Sequence, residues 1–128
     1  MKRDWNVVRE ILEQIEEKQL TSFVKAGQFL NTPGIESADD FVGHMEILID
    51  AGIVKHATVQ RNASGEFEYW DFRGVFITMQ GHDLLDSLRD DKVWTQIKTR
   101  AQKAGVSLTW EFIKASIPIV IGEIAKSI

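Results

Sequence analysis

The chain lacks cysteine, and its 128 residues include only two prolines. The absence of cysteine excludes a disulfide framework, a thiolate metal site and a cysteine nucleophile, so stability has to come from packing. Long hydrophobic runs are also missing. The longest charge-free part of the hydrophobic C-terminal segment covers eight residues, Ala115 to Gly122. A helix needs about 20 apolar residues to cross a bilayer, so we predict no membrane span.

Positive charge is scarce in the first half of the chain. Residues 1–71 contain seven Lys or Arg against thirteen Asp or Glu, whereas residues 72–128 carry a net charge of +2. A free-standing nucleic-acid binder usually concentrates positive charge where phosphates approach. The N-terminal sequence MKRDWNVV has neither the apolar run nor the cleavage site of a signal peptide, which favours a cytoplasmic location.

The stretch from Ser37 to Gly52 predicts the central helix of the fold. Ser37 and Asp40 match an S-x-x-D capping box, and Gly52 is placed to end the helix in a left-handed conformation. One side of the helical wheel is apolar and is predicted to be core. The opposite side is acidic and is our predicted partner-binding surface, which consists of Asp39, Asp40, Gly43, Glu46, Ile47 and Asp50.

The remaining helices are predicted mainly from capping residues. Asp4 is placed to cap a first helix that runs to about Glu17, and Thr78 to cap a helix through Arg89. Asp90 and Asp91 begin a further helix that Gly105 ends. Residues 20–30 have no clean hydrophobic period, so either a short strand or an irregular turn fits them.

Two segments rich in β-branched and aromatic residues predict a β-hairpin. They span residues 53–60 and 66–78 and are separated by Arg-Asn-Ala-Ser-Gly. A β-hairpin that follows a group of helices corresponds to the wing of a winged-helix domain. We therefore predict an α+β fold with a winged helix-turn-helix-like domain over residues 1–89 and a C-terminal helical extension over residues 90–128.

The C-terminal segment carries an apolar stripe at helical spacing, which consists of Ile113, Ile117, Val120 or Ile121, Ile124 and Ile128. Pro118 predicts a kink or a restart of the helix, with Ser116 as a candidate cap, because proline cannot donate to the i−4 carbonyl. Two arrangements fit the stripe. Residues 107–128 either pack on the same domain or form the seam of a homodimer.

Nothing in the sequence predicts an enzyme, a cofactor or a metal site. The three histidines stand at no metal-ligand spacing, and there is no glycine-rich phosphate loop or nucleophile elbow. Asp40 and His44 share an i,i+4 relation, for which a solvated pair is the simplest interpretation.

Two binding functions remain. In the first, a non-catalytic regulatory module binds a basic protein surface through its acidic helix, with Ile47 as the apolar anchor. In the alternative, a transcriptional regulator places the same helix in the DNA major groove and Arg61, at the wing tip, on the backbone. A basic helix offers a second DNA-binding surface, which consists of Lys92, Lys98, Arg100 and Lys103.

Three motifs carry a resemblance to a known family. They are MKRD at the start, H-M-E-x-L-x-D-A-G-I-V over 44–54 and I-T-M-Q-G-H-D-L-L-D-S-L-R-D-D-K-x-W over 77–94. With these motifs the chain resembles a family of small, uncharacterised bacterial and prophage proteins that are similar to winged-helix domains. The resemblance implies that fold and a bacterial or phage origin, and it brings no established activity.

Residues 37–54 are also similar to the recognition helix of winged-helix repressors of the arsenic-sensor type. In those repressors the pattern is S-x-x-x-H-L-x-x-L-x-x-A-G-L-V. This chain has acidic residues where such DNA readers carry Arg, Gln or Ser.

Overall fold

The computed structural model describes residues 1–127 and shows an α+β protein with two compact units, Met1–His82 and Asp83–Ile128. The helices are α1 (Trp5–Glu16), α2 (Leu20–Lys25), a 3-10 helix (Gln28–Asn31), α3 (Ala38–Asp50), α4 (Met79–Arg89), α5 (Asp91–Ala104) and α6 (Trp110–Lys126). The strands are β1 (Val54–Lys55), β2 (Thr58–Arg61), β3 (Phe67–Asp71) and β4 (Phe76–Ile77).

The first helix forms as predicted. The Asp4 carboxylate accepts hydrogen bonds from the backbone N–H groups of Asn6 and Val7 at 2.8 and 3.4 Å, so it satisfies two donors that have no partner within the helix. Residues 20–31 form α2 and the 3-10 helix, and Gly27 joins them with a φ of 68°. Two short helices that are broken by a left-handed residue cannot show one hydrophobic period.

The predicted capping box of α3 is wrong in its details. The Ser37 side chain makes no capping hydrogen bond, and the Asp40 carboxylate instead accepts from the backbone N–H of Glu36 at 3.0 Å. The predicted end is confirmed, because Gly52 has a φ of 70° and the N–H of Ile53 reaches back to the Leu48 carbonyl at 2.9 Å. This is the six-to-one bond of a Schellman motif.

Each predicted strand segment is divided in two. His56 has a φ of 61°, which breaks the segment 53–60 into β1 and β2. The segment 66–78 is likewise divided into β3 and β4. The strands form two antiparallel pairs, β1 with β4 and β2 with β3, so the predicted hairpin is confirmed as β2 and β3 with a bulge after Gln60.

An aromatic cluster packs the hairpin against α3. Trp70 of β3 lies edge-on to Phe41 of α3, with ring centroids 6.1 Å apart, and stacks on Phe72 at 5.8 Å. Phe29 of the 3-10 helix contacts Phe41 at 5.0 Å. Such aromatic pairs stabilise a fold by more than the burial of their apolar area alone. Here they fix the hairpin against α3.

The start of α4 is joined to the end of α3. As predicted, Thr78 caps α4, since its Oγ1 accepts the N–H of Gly81 at 3.2 Å. The same hydroxyl donates to the Gly52 carbonyl at 2.6 Å. A side chain at Gly81 would contact the Ile53 carbonyl and the Ile77 side chain, so only glycine permits this close approach. The glycine of the G-H-D motif therefore has a packing role.

In the second unit, α5 packs against α6. Asp90 caps α5 by accepting from the N–H groups of Lys92 and Val93, and Gly105 ends it with a φ of 68°, both as predicted. Of the kink or restart predicted at Pro118, the restart is wrong, because α6 is continuous through Pro118, and the kink stays a prediction. Ser116 is not a cap but a buried residue within the helix.

Candidate interaction surface

The predicted partner-binding residues lie along the outward side of α3 with different degrees of exposure. Asp39 and Asp50 are exposed, whereas the other four are partly buried: Asp40, Gly43, Glu46 and Ile47. Asp39 and Asp50 are eleven residues apart, which is roughly 17 Å along a helix. We call this set, together with Arg61, the α3 surface.

An ion pair joins two residues that sequence reasoning had assigned to different binding surfaces. The Nε of Arg61 donates to both carboxylate oxygens of Glu46 at 3.0 Å, and Nη2 donates to Oε1 at 2.7 Å. The Nη1 of Arg61 donates to the Gly65 carbonyl at 2.9 Å. The guanidinium group is thus held by α3 and by the hairpin turn, so it is already occupied in the position where it was predicted to contact DNA.

The pKa of Arg61 reflects this arrangement. The hydrogen bonds that Arg61 donates to Glu46 raise it most, and the nearby charges of Glu46 and Asp39 raise it further. Arg61 therefore stays charged and neutralises one of the four carboxylates on the α3 surface, which leaves a net charge of −3. The surface remains acidic, but Glu46 is no longer a free carboxylate that a partner can bind.

The N-terminal segment covers the middle of the α3 surface. A Cβ atom on Gly43 would contact the Met1 side chain, so Gly43 is not part of an open rim. The backbone N–H of Asp4 donates to Nε2 of His44 at 2.9 Å, and Nδ1 of His44 lies 2.7 Å from the Asp40 carbonyl. The first contact holds the N-terminal segment on α3, and the second fixes the ring within the helix.

His44 is completely buried, so the interpretation of Asp40 and His44 as a solvated pair is wrong. Its ring contacts the backbone carbonyl of Asp40 and not the carboxylate. Because Nε2 accepts from a backbone N–H, Nδ1 carries the proton and the ring is neutral in this arrangement. The sequence contains no signal for the Asp4 contact, which joins residues that are 40 positions apart.

No metal site is visible in the described part of the chain. Within residues 1–127, no three His, Asp or Glu side chains are arranged to hold a metal ion. His56 and His82 are exposed, and the His56 ring lies against Phe76 with centroids 5.1 Å apart.

The predicted basic surface of α5 is spread around the helix. Lys92, Lys98 and Lys103 are exposed, but Lys98 points away from the side that Lys92 and Lys103 share, because a helix turns by about 100° per residue. Arg100 is partly buried, and its Nη1 lies 3.8 Å from a carboxylate oxygen of Glu123 on α6. The structure therefore does not bring the four residues together as one patch.

The α6 stripe is only partly buried. Ile113 and Val120 are buried, Ile117 and Ile124 are partly buried, and Ile121 is about half exposed. Ile128, which the prediction included in the stripe, lies outside the described residues. The homodimer seam over residues 107–128 therefore stays a prediction. None of the helices within residues 1–127 has both the length and the hydrophobicity needed to cross a membrane.

Comparison with known proteins identifies the family. The family model described as "Hypothetical protein (DUF2513)" matches residues 2–107, a region that ends before α6 begins. A Haemophilus influenzae (strain Rd) protein described as "Uncharacterized protein" is 27% identical over 125 residues, which are 96% of this chain and 98% of that protein. No solved structure matches the chain. Because the family model covers most of its length, the chain belongs to the DUF2513 family.

Proposed function

We propose that the chain is a non-catalytic winged-helix interaction module of bacterial or prophage origin that binds a basic segment of a partner protein through the α3 surface. The order of elements supports the winged-helix interpretation, because three helical segments precede α3 and an antiparallel hairpin follows it. One feature differs from a tight helix-turn-helix, in which three or four residues join the helices. Here the segment from Ala26 to Ser37 joins α2 to α3 and contains the 3-10 helix.

The observation that carries the proposal is the charge of the α3 surface after its internal pairing. Arg61 forms its ion pair with Glu46 and also feels the charge of Asp39, while the carboxylates of Asp39 and Asp50 stay exposed at the two ends of the helix. A cationic partner segment would meet Asp39 and Asp50 on either side of the middle that the N-terminal segment covers. A DNA backbone would be repelled by them, and it would also have to compete with Glu46 for Arg61.

Ile47 supplies the apolar part of this surface. It lies on the same side of α3 as Glu46 and Asp50 and is partly exposed. An apolar anchor surrounded by charge is the usual form of a small binding site, in which the anchor supplies affinity and the charges supply orientation. We therefore expect the partner segment to combine Lys or Arg with one hydrophobic side chain.

Charge reversal tests this proposal. The double variant Asp39→Lys and Asp50→Lys should lose a partner that the wild type captures from a lysate of the source bacterium, with binding at least tenfold weaker because two attractive contacts become repulsive. Glu111→Lys is the matched control, because Glu111 is an exposed carboxylate in the first turn of α6. Captured proteins are compared by quantitative mass spectrometry.

A second variant tests the anchor. Ile47→Asp should abolish capture of the same partner while circular dichroism shows a folded protein. If both the double reversal and Ile47→Asp capture the partner as well as the wild type does, the α3 surface is not the binding site.

A further inference from the structure

A groove runs between α2 and the hairpin within the first unit. One wall consists of Thr21, Val24 and Lys25, which share one side of α2 at positions i, i+3 and i+4. The other wall is the continuous segment Tyr69–Arg73. The groove has a volume of about 410 Å³. We call it the α2/β3 groove.

The groove follows an edge of β3 and does not lie on one of its faces. Successive side chains of a strand point to opposite faces, so a cleft over one face would be lined by every second residue. Here consecutive residues line it: Tyr69, Trp70 and Asp71 of β3, followed by Phe72 and Arg73 of the segment after the strand. Within residues 1–127, β3 pairs only with β2, so its second edge has no strand beside it.

This free edge offers backbone hydrogen bonds. In an antiparallel pair, alternate residues of an edge strand turn their N–H and C=O groups outward. The bulge of the hairpin falls between Gln60 and Arg61, opposite the segment from Phe67 to Tyr69, and so lies at the end of β3 nearest the turn. The part of β3 that lines the groove is therefore regular enough to pair with another strand.

A second cleft continues the groove. It has a volume of about 310 Å³ and shares three residues with the first: Thr21, Phe72 and Arg73. It adds Lys18, which has a φ of 60° at the end of α1, and the buried side chain of Ile15. Together the two clefts provide a continuous channel with apolar parts.

The charge of this channel is opposite to that of the α3 surface. Its lining contains Lys18, Lys25 and Arg73 against the single carboxylate of Asp71, in a chain whose net charge is −4. Three hydrogen bonds from Arg73, two from its side chain and one from its backbone N–H, lower the pKa of Asp71 to about 2. Arg73 is 85% exposed and keeps the two N–H groups of Nη1 directed away from this pair.

We propose that the α2/β3 groove binds an extended, acidic segment of a partner protein, which adds a third strand to the free edge of β3. Backbone pairing with β3 would supply the strand geometry, and Lys18 and Lys25 would select carboxylates of the segment, since Arg73 is paired with Asp71. The site goes beyond the α3 surface, because it recognises the opposite charge and a different backbone conformation.

The aromatic residues of the groove favour a peptide over single-stranded nucleic acid. Nucleic-acid grooves of this kind expose aromatic faces on which bases stack. Trp70 is stacked on Phe67 at 4.8 Å and on Phe72 at 5.8 Å, so its ring is already packed. Tyr69 alone is exposed, and the Asp71 carboxylate would face the phosphates.

The probe for the test is a synthetic peptide of alternating glutamate and valine, seven residues long and blocked at both ends. It is titrated into the ¹⁵N-labelled full chain while amide shifts are recorded. We expect saturable shifts at residues 69–73 and at Thr21, Val24 and Lys25. A peptide with the same sequence but N-methylated at every residue has no backbone N–H group on either edge to pair with a strand, and it should bind at least tenfold more weakly.

Charge variants give a second readout. Lys25→Glu should weaken binding of the glutamate peptide roughly fivefold, because an attractive contact becomes repulsive. Lys55→Glu, at an exposed lysine of β1 outside the groove, should leave binding unchanged. Amide spectra of both variants show whether the fold is intact.

Three outcomes would overturn the proposal. They are shifts confined to other surfaces, equal binding of the N-methylated peptide, and no saturation below about 1 mM peptide. A titration with oligothymidylate completes the test. Tighter binding of that oligonucleotide at the same residues would show that the groove binds single-stranded DNA and not a peptide. None of these outcomes depends on the α3 surface, so the two proposals fail separately.

Discussion

Gly81→Ala is the substitution whose effect follows most directly from the structure. An ideal Cβ atom at this position would contact the Ile53 carbonyl oxygen, would lie 2.6 Å from Cγ2 of Ile77 and would lie 3.1 Å from Cγ2 of Ile53. The nearest neighbour is backbone, so no flexible side chain can move aside. The start of α4 must then shift away from the end of α3.

The magnitude follows from the contacts that this shift disturbs. The Ile53 carbonyl accepts a hydrogen bond from the N–H of Thr78 at 3.0 Å, and the Thr78 hydroxyl, which donates to the Gly52 carbonyl, also lies 3.0 Å from it. Overpacking costs about 1–3 kcal/mol, and weakening one of these hydrogen bonds adds about 1 kcal/mol. The higher helix propensity of alanine offsets about 1 kcal/mol of this loss in stability. We expect the free energy of unfolding to fall by about 2 kcal/mol, with a loss of roughly 6–10 °C in Tm.

Urea denaturation and thermal unfolding, both followed by circular dichroism, measure this effect. Gly122→Ala is the matched control, because Gly122 lies inside α6 and has no atom within 4 Å of its ideal Cβ position. The control should stabilise the chain by about 0.5–1 kcal/mol, since alanine is the better helix former. If Gly81→Ala is as stable as Gly122→Ala, the close approach of α4 to the Ile53 carbonyl is not a feature of the folded protein.

Two further predictions concern buried and paired groups. His44→Leu should lower the free energy of unfolding by about 1–3 kcal/mol in urea denaturation, because it leaves the Asp4 N–H without its acceptor; unchanged stability would contradict the contact. Asp71 should titrate in NMR with a pKa of about 2, and Arg73→Gln should return that pKa toward the ordinary 3.8. Because the folded-state pKa is the lower one, the stability contributed by this pair is complete above about pH 4 and is lost as the pH falls toward 2. A wild-type pKa near 3.8 would show that the pair does not form in solution.

The parts of the fold that the sequence predicts are those with local causes. The predicted helix ends depend on contacts within a few residues. They are the N-terminal caps at Asp4, Thr78 and Asp90 and the left-handed C-terminal residues Gly52 and Gly105. Such contacts leave a signature that can be read without knowledge of the tertiary structure. The hairpin is predictable for the same reason, since its turn is short and its two arms share one composition.

The parts that the sequence does not predict depend on residues that are distant in the chain. Arg61 and Glu46 are 15 positions apart and meet only because the aromatic cluster packs the hairpin on α3. His44 is buried because the N-terminal segment covers it, although its place on the helical wheel suggests exposure. The restart at Pro118 is wrong because a proline removes one helical hydrogen bond without requiring the chain to stop.

The surface charge of α3 is the basis of the proposed function, and one NMR titration tests it most directly. A lysine-rich peptide with one leucine and a random 16-base-pair DNA duplex are titrated separately into the ¹⁵N-labelled chain at low salt. The peptide should shift the amides of Asp39, Ile47 and Asp50, and the duplex should leave them unchanged. Saturable shifts of α3 or of the α5 lysines by the duplex, with none from the peptide, would contradict the proposal and favour a DNA-binding regulator.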